Sequence, residues 1–205
     1  MTITFPRDLP EPLNIRAPRF EPSYMQVRSP TRGGLVQVVN VGVDLWSARY
    51  ETAPMREVEA ESWKAWLHSL RRYALGYPNG YGGLNRAFGA GAFDGTANLS
   101  AIGTAKDTVT LTTLPVGFTL APGDMLSFPV GTFQTLHRVI EGGAASNAGS
   151  LTLTVEPTVP LAATTSVTVT LVKPWCHGVL DPRSVSGPWQ LGRVAAVSFD
   201  AMQVY

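Results

Sequence analysis

Apolar and polar positions alternate along Trp46–Glu51. Trp46, Ala48 and Tyr50 fall on one side, and Ser47, Arg49 and Glu51 on the other. This period of two predicts a half-buried strand. Pro54 has no N–H to give to a ladder, so the strand is expected to stop near Thr52. From about Glu57 the period lengthens. Trp63, Trp66, Leu67, Leu70 and Ala74 recur at i, i+3, i+4, i+7 and i+11, which makes one apolar stripe on a helix. Glu57, Glu59 and Glu61 crowd its start and Arg71 and Arg72 its last turns, the charge order that the helix dipole favours. Gly76 and Pro78 are expected to end it. Two tryptophans on one short helix need a sheet to cover them, so Trp46, Tyr50, Trp63, Trp66, Leu67 and Leu70 are expected core.

Before this unit, residues 1–30 are punctuated by Pro6, Pro10, Pro12, Pro18, Pro22 and Pro30, with scattered Arg. Such a density of proline blocks a regular helix and predicts an extended arm with short edge strands. The arm is either disordered or laid across a neighbouring subunit. Gly33–Gly34 leads into a Val-rich strand at Leu35–Asn40, and Val41–Asp44 is expected to turn it as a hairpin into the Trp46 strand. After the helix, the stretch Gly76–Gly95 interleaves glycine with Tyr and Phe. It lacks the Lys-Ser/Thr of a phosphate-binding loop and reads as a loop held on a surface or interface.

From about Thr96 no helical period survives. Thr108–Thr113, Asp124–Phe128, Thr132–Ile140, Leu151–Val155 and Ser166–Val172 read as short strands between Gly, Pro, Asn and Ser turns. Leu151, Leu153 and Val155 alternate with Thr152 and Thr154, and Val167, Val169 and Leu171 with Thr168 and Thr170. Five such strands predict a small antiparallel barrel or sandwich. Residues 193–205 then read as a last strand, with Ala195, Val197 and Phe199 on one face. So apolar a strand needs a sheet, and the Trp46 strand with its helix is the natural one. The expected fold is therefore mainly β with one amphipathic helix (α+β). A host domain of residues 1–92 and 174–205 carries an inserted β-domain of residues 93–173.

Composition narrows the function classes. The chain has 205 residues, of which only 15 % are charged, below the roughly 25 % of ordinary soluble domains. A net charge of +1 points to no nucleic-acid surface. Of the basic residues 13 are Arg and 3 are Lys, a bias shared by protein interfaces and by GC-rich genomes. No window has the uninterrupted apolar length of a membrane span, and the charged, Pro-rich start is no secretory signal.

Chemistry is sparse. Cys176 alone excludes a disulfide framework and a multi-thiolate zinc site. Its neighbour His177 is adjacent only in sequence, which does not build a nucleophile–base pair. His68, His137 and His177 are scattered, and no close carboxylate pair sits in an apolar setting. No catalytic residue, metal or cofactor is expected, and the chain is read as no enzyme.

The order of these motifs resembles distal-tail or baseplate-hub structural proteins of long-tailed bacteriophages and phage-like gene transfer particles. The resemblance is carried by WSARYETAPM…EAESWKAWLHSLRR, then LAPGDMLSF, TLHRVIEG, SLTLTVEPTVPL and AAVSFDAMQVY, over most of residues 35–205. It implies a β-sandwich ring domain with a small outward β-domain. Six copies would close a ring at the virion's tail tip, between the tail-tube protein and the baseplate hub protein, after synthesis in the host cytoplasm. Candidate inter-subunit contacts are then Lys64, Arg71 and Arg72 on the helix's polar side, Arg16 and Arg19 in the arm, and Tyr81 in the glycine-rich loop. Phe199 joins the expected core. The competing reading is a carbohydrate- or host-surface-binding β-module using Phe118, Phe128 or Phe133.

Overall fold

The computed structural model describes residues 10, 15–30, 33–70, 74–78, 95–187, 189–190 and 194–204. The first part of the chain makes β1 (Ile15–Ser23), β2 (Gln26–Pro30), β3 (Val36–Asn40), β4 (Leu45–Thr52), β5 (Met55–Arg56), α1 (Glu57–Leu70) and β6 (Ala74–Pro78). Next come β7 (Thr96–Ile102), β8 (Thr108–Thr112), β9 (Thr119–Leu120), β10 (Met125–Val130), β11 (Phe133–Glu141), β12 (Gly143–Ala144), β13 (Leu151–Glu156) and β14 (Val167–Thr170). The chain returns through β15 (Trp175–Leu180), β16 (Trp189–Gln190), β17 (Val194–Ala195) and β18 (Ser198–Gln203). Strands dominate, and α1 is the single helix among the described residues.

Five strands from both ends of the chain form one antiparallel sheet in the order β1-β4-β18-β15-β6. Trp46, Ala48, Tyr50 and Thr52 of β4 all point to its buried side, as their alternation requires. Phe199 and Ala201 of β18 join them from the neighbouring strand. On that side α1 lays down Ala60, Trp63, Trp66, Leu67 and Leu70. Trp63 meets Trp66 edge-on at 5.8 Å, both lie just over 6 Å from Phe199, and Tyr50 stacks on Phe199 at 5.0 Å. Burial of this aromatic cluster supplies most of what holds the helix to the sheet. A small three-stranded sheet, β16-β17-β5, borders α1.

One buried pair fastens β4 where the sheet gives way. The Thr52 N–H donates to the Val197 carbonyl, and the Val197 N–H donates back to Thr52 Oγ1, both at 2.9 Å. Thr52→Val keeps the shape but leaves a buried N–H unpaired, so a loss of about 1–3 kcal/mol is expected in urea unfolding. Thr52→Ser, which keeps the oxygen, is expected to recover most of it.

The six strands β10-β11-β13-β8-β7-β14 close into an antiparallel barrel. Closure removes free sheet edges. Leu99, Leu111, Phe128, Val139, Leu153 and Val169 fill the barrel's core. In sequence the whole barrel lies between β6 and β15, which are hydrogen-bonded neighbours in the sheet. The two bodies share a seam. Met125 and Leu136 of the barrel pack into the helix–sheet core. Trp46 Nε1–H donates to the Leu136 carbonyl at 2.7 Å, and the Arg138 guanidinium sits 5.0 Å over the Trp46 ring. The Gln134 N–H donates to His177 Nδ1 at 2.7 Å, and the Trp175 N–H to Ser127 Oγ at 3.3 Å.

Four expectations need correction. Val41–Asp44 does not turn β3 into β4: β3 pairs with β2 around Gly33–Gly34, while β4 takes β1 and β18 as partners. Ala74 does not extend the helical stripe, because Ala74–Pro78 is the edge strand β6, paired to β15. Thr96–Ile102 adds a sixth barrel strand. The proline-rich arm holds a nine-residue edge strand. Its register slips between Arg16 and Arg19, around Pro18, where a residue without an N–H interrupts the ladder.

Candidate interaction surface

The hairpin β2–β3 has an unusual exposure pattern. Every residue of both strands is exposed. Yet Val27, Val36, Val38, Val39, Val41 and Val43 lie along it, each 42–63 % exposed. Tyr24 and Met25 beside them are about half exposed as well. Clustered exposed apolar side chains of this kind mark interaction sites, whereas single ones are ordinary. A two-stranded hairpin without a covering layer is at best marginally stable in water.

The hairpin is anchored at its base. The Met25 N–H donates to the buried Asp44 carboxylate at 3.0 Å, and the Val41 N–H donates to the Met25 carbonyl at 2.8 Å. Gly42 lies against Met25 there, where a Cβ would stand 2.8 Å from Sδ and push the methionine side chain aside.

Register separates the hairpin's two faces. Val27 is directly opposite Val39, and Ser29 opposite Gln37, so one face carries no formal charge. Arg28 opposite Val38, Pro30 opposite Val36 and Gln26 opposite Asn40 make the other. Beside the base opens an apolar groove of about 530 Å³, bounded by Val43, Val130, Phe133, Pro160, Leu161 and Ala162. Leu161 at its rim is 87 % exposed.

The candidate contacts read from the sequence lie elsewhere. Arg19 is exposed on β1 and pairs with Glu21 at 2.8 Å. With Ser47, Arg49 and Asp200 these two line a polar depression of about 320 Å³ on the sheet's outer face. Lys64 reaches Glu61 on its own helix at 3.2 Å. Arg16 belongs to β1 by its backbone pairing with Glu51. Arg71, Arg72 and Tyr81, and most of the Gly76–Gly95 loop, lie outside the described residues. The hairpin valines were missed because an apolar run with Val on both faces reads as a buried strand. The flanking Gly33–Gly34 and Gly42 were the only hint that it stands apart.

The groups with reactive side chains are packed away. Cys176 is fully buried, and burial pushes its thiol pKa well up, away from the reactive thiolate. His177 engages the Gln134 N–H through Nδ1, so its proton sits on Nε2, and burial lowers its pKa. Phe133 and Trp175 meet it edge-on at 5.7 and 4.9 Å. His137 stacks on Phe128 at 4.8 Å inside the barrel, with Nδ1–H donating to the Pro157 carbonyl at 2.7 Å. Among the described residues no cluster of His, Cys, Asp or Glu could hold a metal ion. No helix among them is long and apolar enough to cross a membrane. Of the barrel aromatics, Phe118 and Phe128 are buried, and Phe133 is half-buried at the groove.

No protein-family model matches the sequence, and no curated protein matches it.

Proposed function

We propose that the chain is a non-enzymatic structural subunit of a phage tail tip, closing with copies of itself into a ring that joins the tail tube to the baseplate hub. The observation that carries the assembly part of this reading is the β2–β3 hairpin, a valine-rich ribbon whose residues are all exposed. A surface of that composition is what a subunit buries against a neighbour. The low charge, the excess of Arg over Lys and the order of sequence motifs support the same reading, and the resemblance supplies the tail-tip location, the sixfold ring and the partners above and below.

Native mass spectrometry of the full chain tests it. The wild type is expected as a closed oligomer at micromolar concentration. Val38→Lys with Val39→Lys charges both faces of the hairpin and should leave a monomer that still unfolds cooperatively. Its melting temperature should be lower only by what assembly contributes, since exposed substitutions themselves usually move stability by about 0.5 kcal/mol or less. A wild type that is monomeric at every concentration, or an oligomer indifferent to the double substitution, removes the reading.

A further inference from the structure

We infer that the groove between the hairpin base and the barrel is the receptor for the hairpin of the next copy, which enters it with the face bearing Val27 and Val39. The inference rests on the assembly reading and adds to it the site that the hairpin meets. Three observations converge. The groove is concave and apolar, and none of its lining residues is charged. Of the hairpin's two faces only the Val27–Val39 face is also without charge, whereas the other would carry Arg28 into an apolar site with no counter-charge. Size fits as well. Paired side chains on one ribbon face stand about 5 Å apart, and a groove of about 530 Å³ falls in the range that takes groups of that size.

Hairpin and groove are different surfaces of one chain, so two copies can exchange hairpins about a two-fold axis or many can pass them head to tail. The ring of the assembly reading is the head-to-tail arrangement, which closes when the rotation allows. Val43 belongs to both the hairpin base and the groove wall, so the incoming hairpin also extends the apolar surface of the resident one.

Single-cysteine cross-linking tests the geometry, and the native Cys176, with no exposed surface, gives it a clean background. Full chains carrying Val39→Cys and Leu161→Cys, one of them size-tagged, are mixed and treated with a short bis-maleimide. A mixed cross-linked dimer is expected, at least tenfold above that from Val38→Cys with Leu161→Cys, because Val38 lies on the opposite face. Equal yield from Val38→Cys, or Val39→Cys joining only to itself, overturns the inference. So does the lack of a mixed product when native mass spectrometry shows oligomer in the same sample, and in that case the assembly reading stands. If the sample is monomeric, both fall together. Leu161→Asp supplies an independent arm. It is expected to raise the monomer fraction at least tenfold while the monomer still unfolds cooperatively, and an unchanged oligomer would count against the groove.

Discussion

Trp46→Ala is expected to destabilise the chain more than any other single truncation in the helix–sheet core, by about 4–6 kcal/mol. Removing a buried large aromatic costs about 3–5 kcal/mol, and the lost hydrogen bond to the Leu136 carbonyl adds about 1. Against a total stability of about 5–15 kcal/mol, that is a major fraction. The ring is 1 % exposed, stacks on Phe20 at 4.6 Å and carries Arg138 on its face, so its removal opens the sheet core and the seam with the barrel together. Trp46→Phe separates the two parts. It keeps most of the packing and loses the donor, so about 1–3 kcal/mol is expected. Trp66→Phe should cost less than Trp46→Phe, because the buried Trp66 Nε1–H has no hydrogen-bond partner among the described residues and its removal leaves nothing newly unpaired. Guanidinium midpoints of the three variants, at unchanged slope, decide the order. A Trp46→Phe protein as stable as the wild type would mean that the hydrogen bond to the Leu136 carbonyl contributes nothing.

The second large effect is acid sensitivity. Burial lowers the pKa of His137 from 6.5 to about 4. A base whose pKa is depressed on folding takes up its proton in the unfolded chain first. Its stabilising contribution is therefore complete above pH 6.5 and is lost as pH falls toward 4. The size over that window is about 3 kcal/mol. Charging the ring would place an imidazolium against the Phe128 face, with only the Pro157 carbonyl and Thr135 Oγ1 within reach. Lowered pKa at His177 acts in the same direction, because protonation removes the acceptor that holds the Gln134 N–H. Melting temperatures of wild type and His137→Gln, measured from pH 7.5 to 4, should converge as the pH drops. Parallel curves would show that His137 does not titrate on unfolding in this range.

Several elements were legible because their side chains obey a single period. β4 and α1 follow from Trp46–Tyr50 and Trp63–Leu70, and β13 from leucines alternating with threonines. The apolar end of the chain called correctly for pairing with β4, but it is two strands and not one: Ala195 lies in β17, paired to β16 and β5, and Phe199 in β18, paired to β4. Other elements left no such trace. In β7 the inward positions are filled by Ala97 and Leu99, and small residues follow, so the alternation is faint. In β15, Cys176, His177 and Gly178 are consecutive and all buried, because the sheet lies on one side and the barrel on the other. A strand covered on both faces has no period to read.

Cys176 and His177 are both buried. The candidate interaction surface was not legible. The cations picked from the sequence were chosen for charge, and Arg19 and Lys64 pair with carboxylates of their own element.

What the sequence determined by itself, then, is local: where the chain extends, where it coils into α1, and where Pro and Gly interrupt it. These follow from backbone sterics and the spacing of apolar side chains, which neighbours along the chain suffice to set. Only the tertiary structure decided which strands pair, that six of them close a barrel, and that the valines of β2–β3 stand in the open. Burial is a property of what lies above a face, which an apolar run of residues does not state, and every residue of β2 and β3 is exposed.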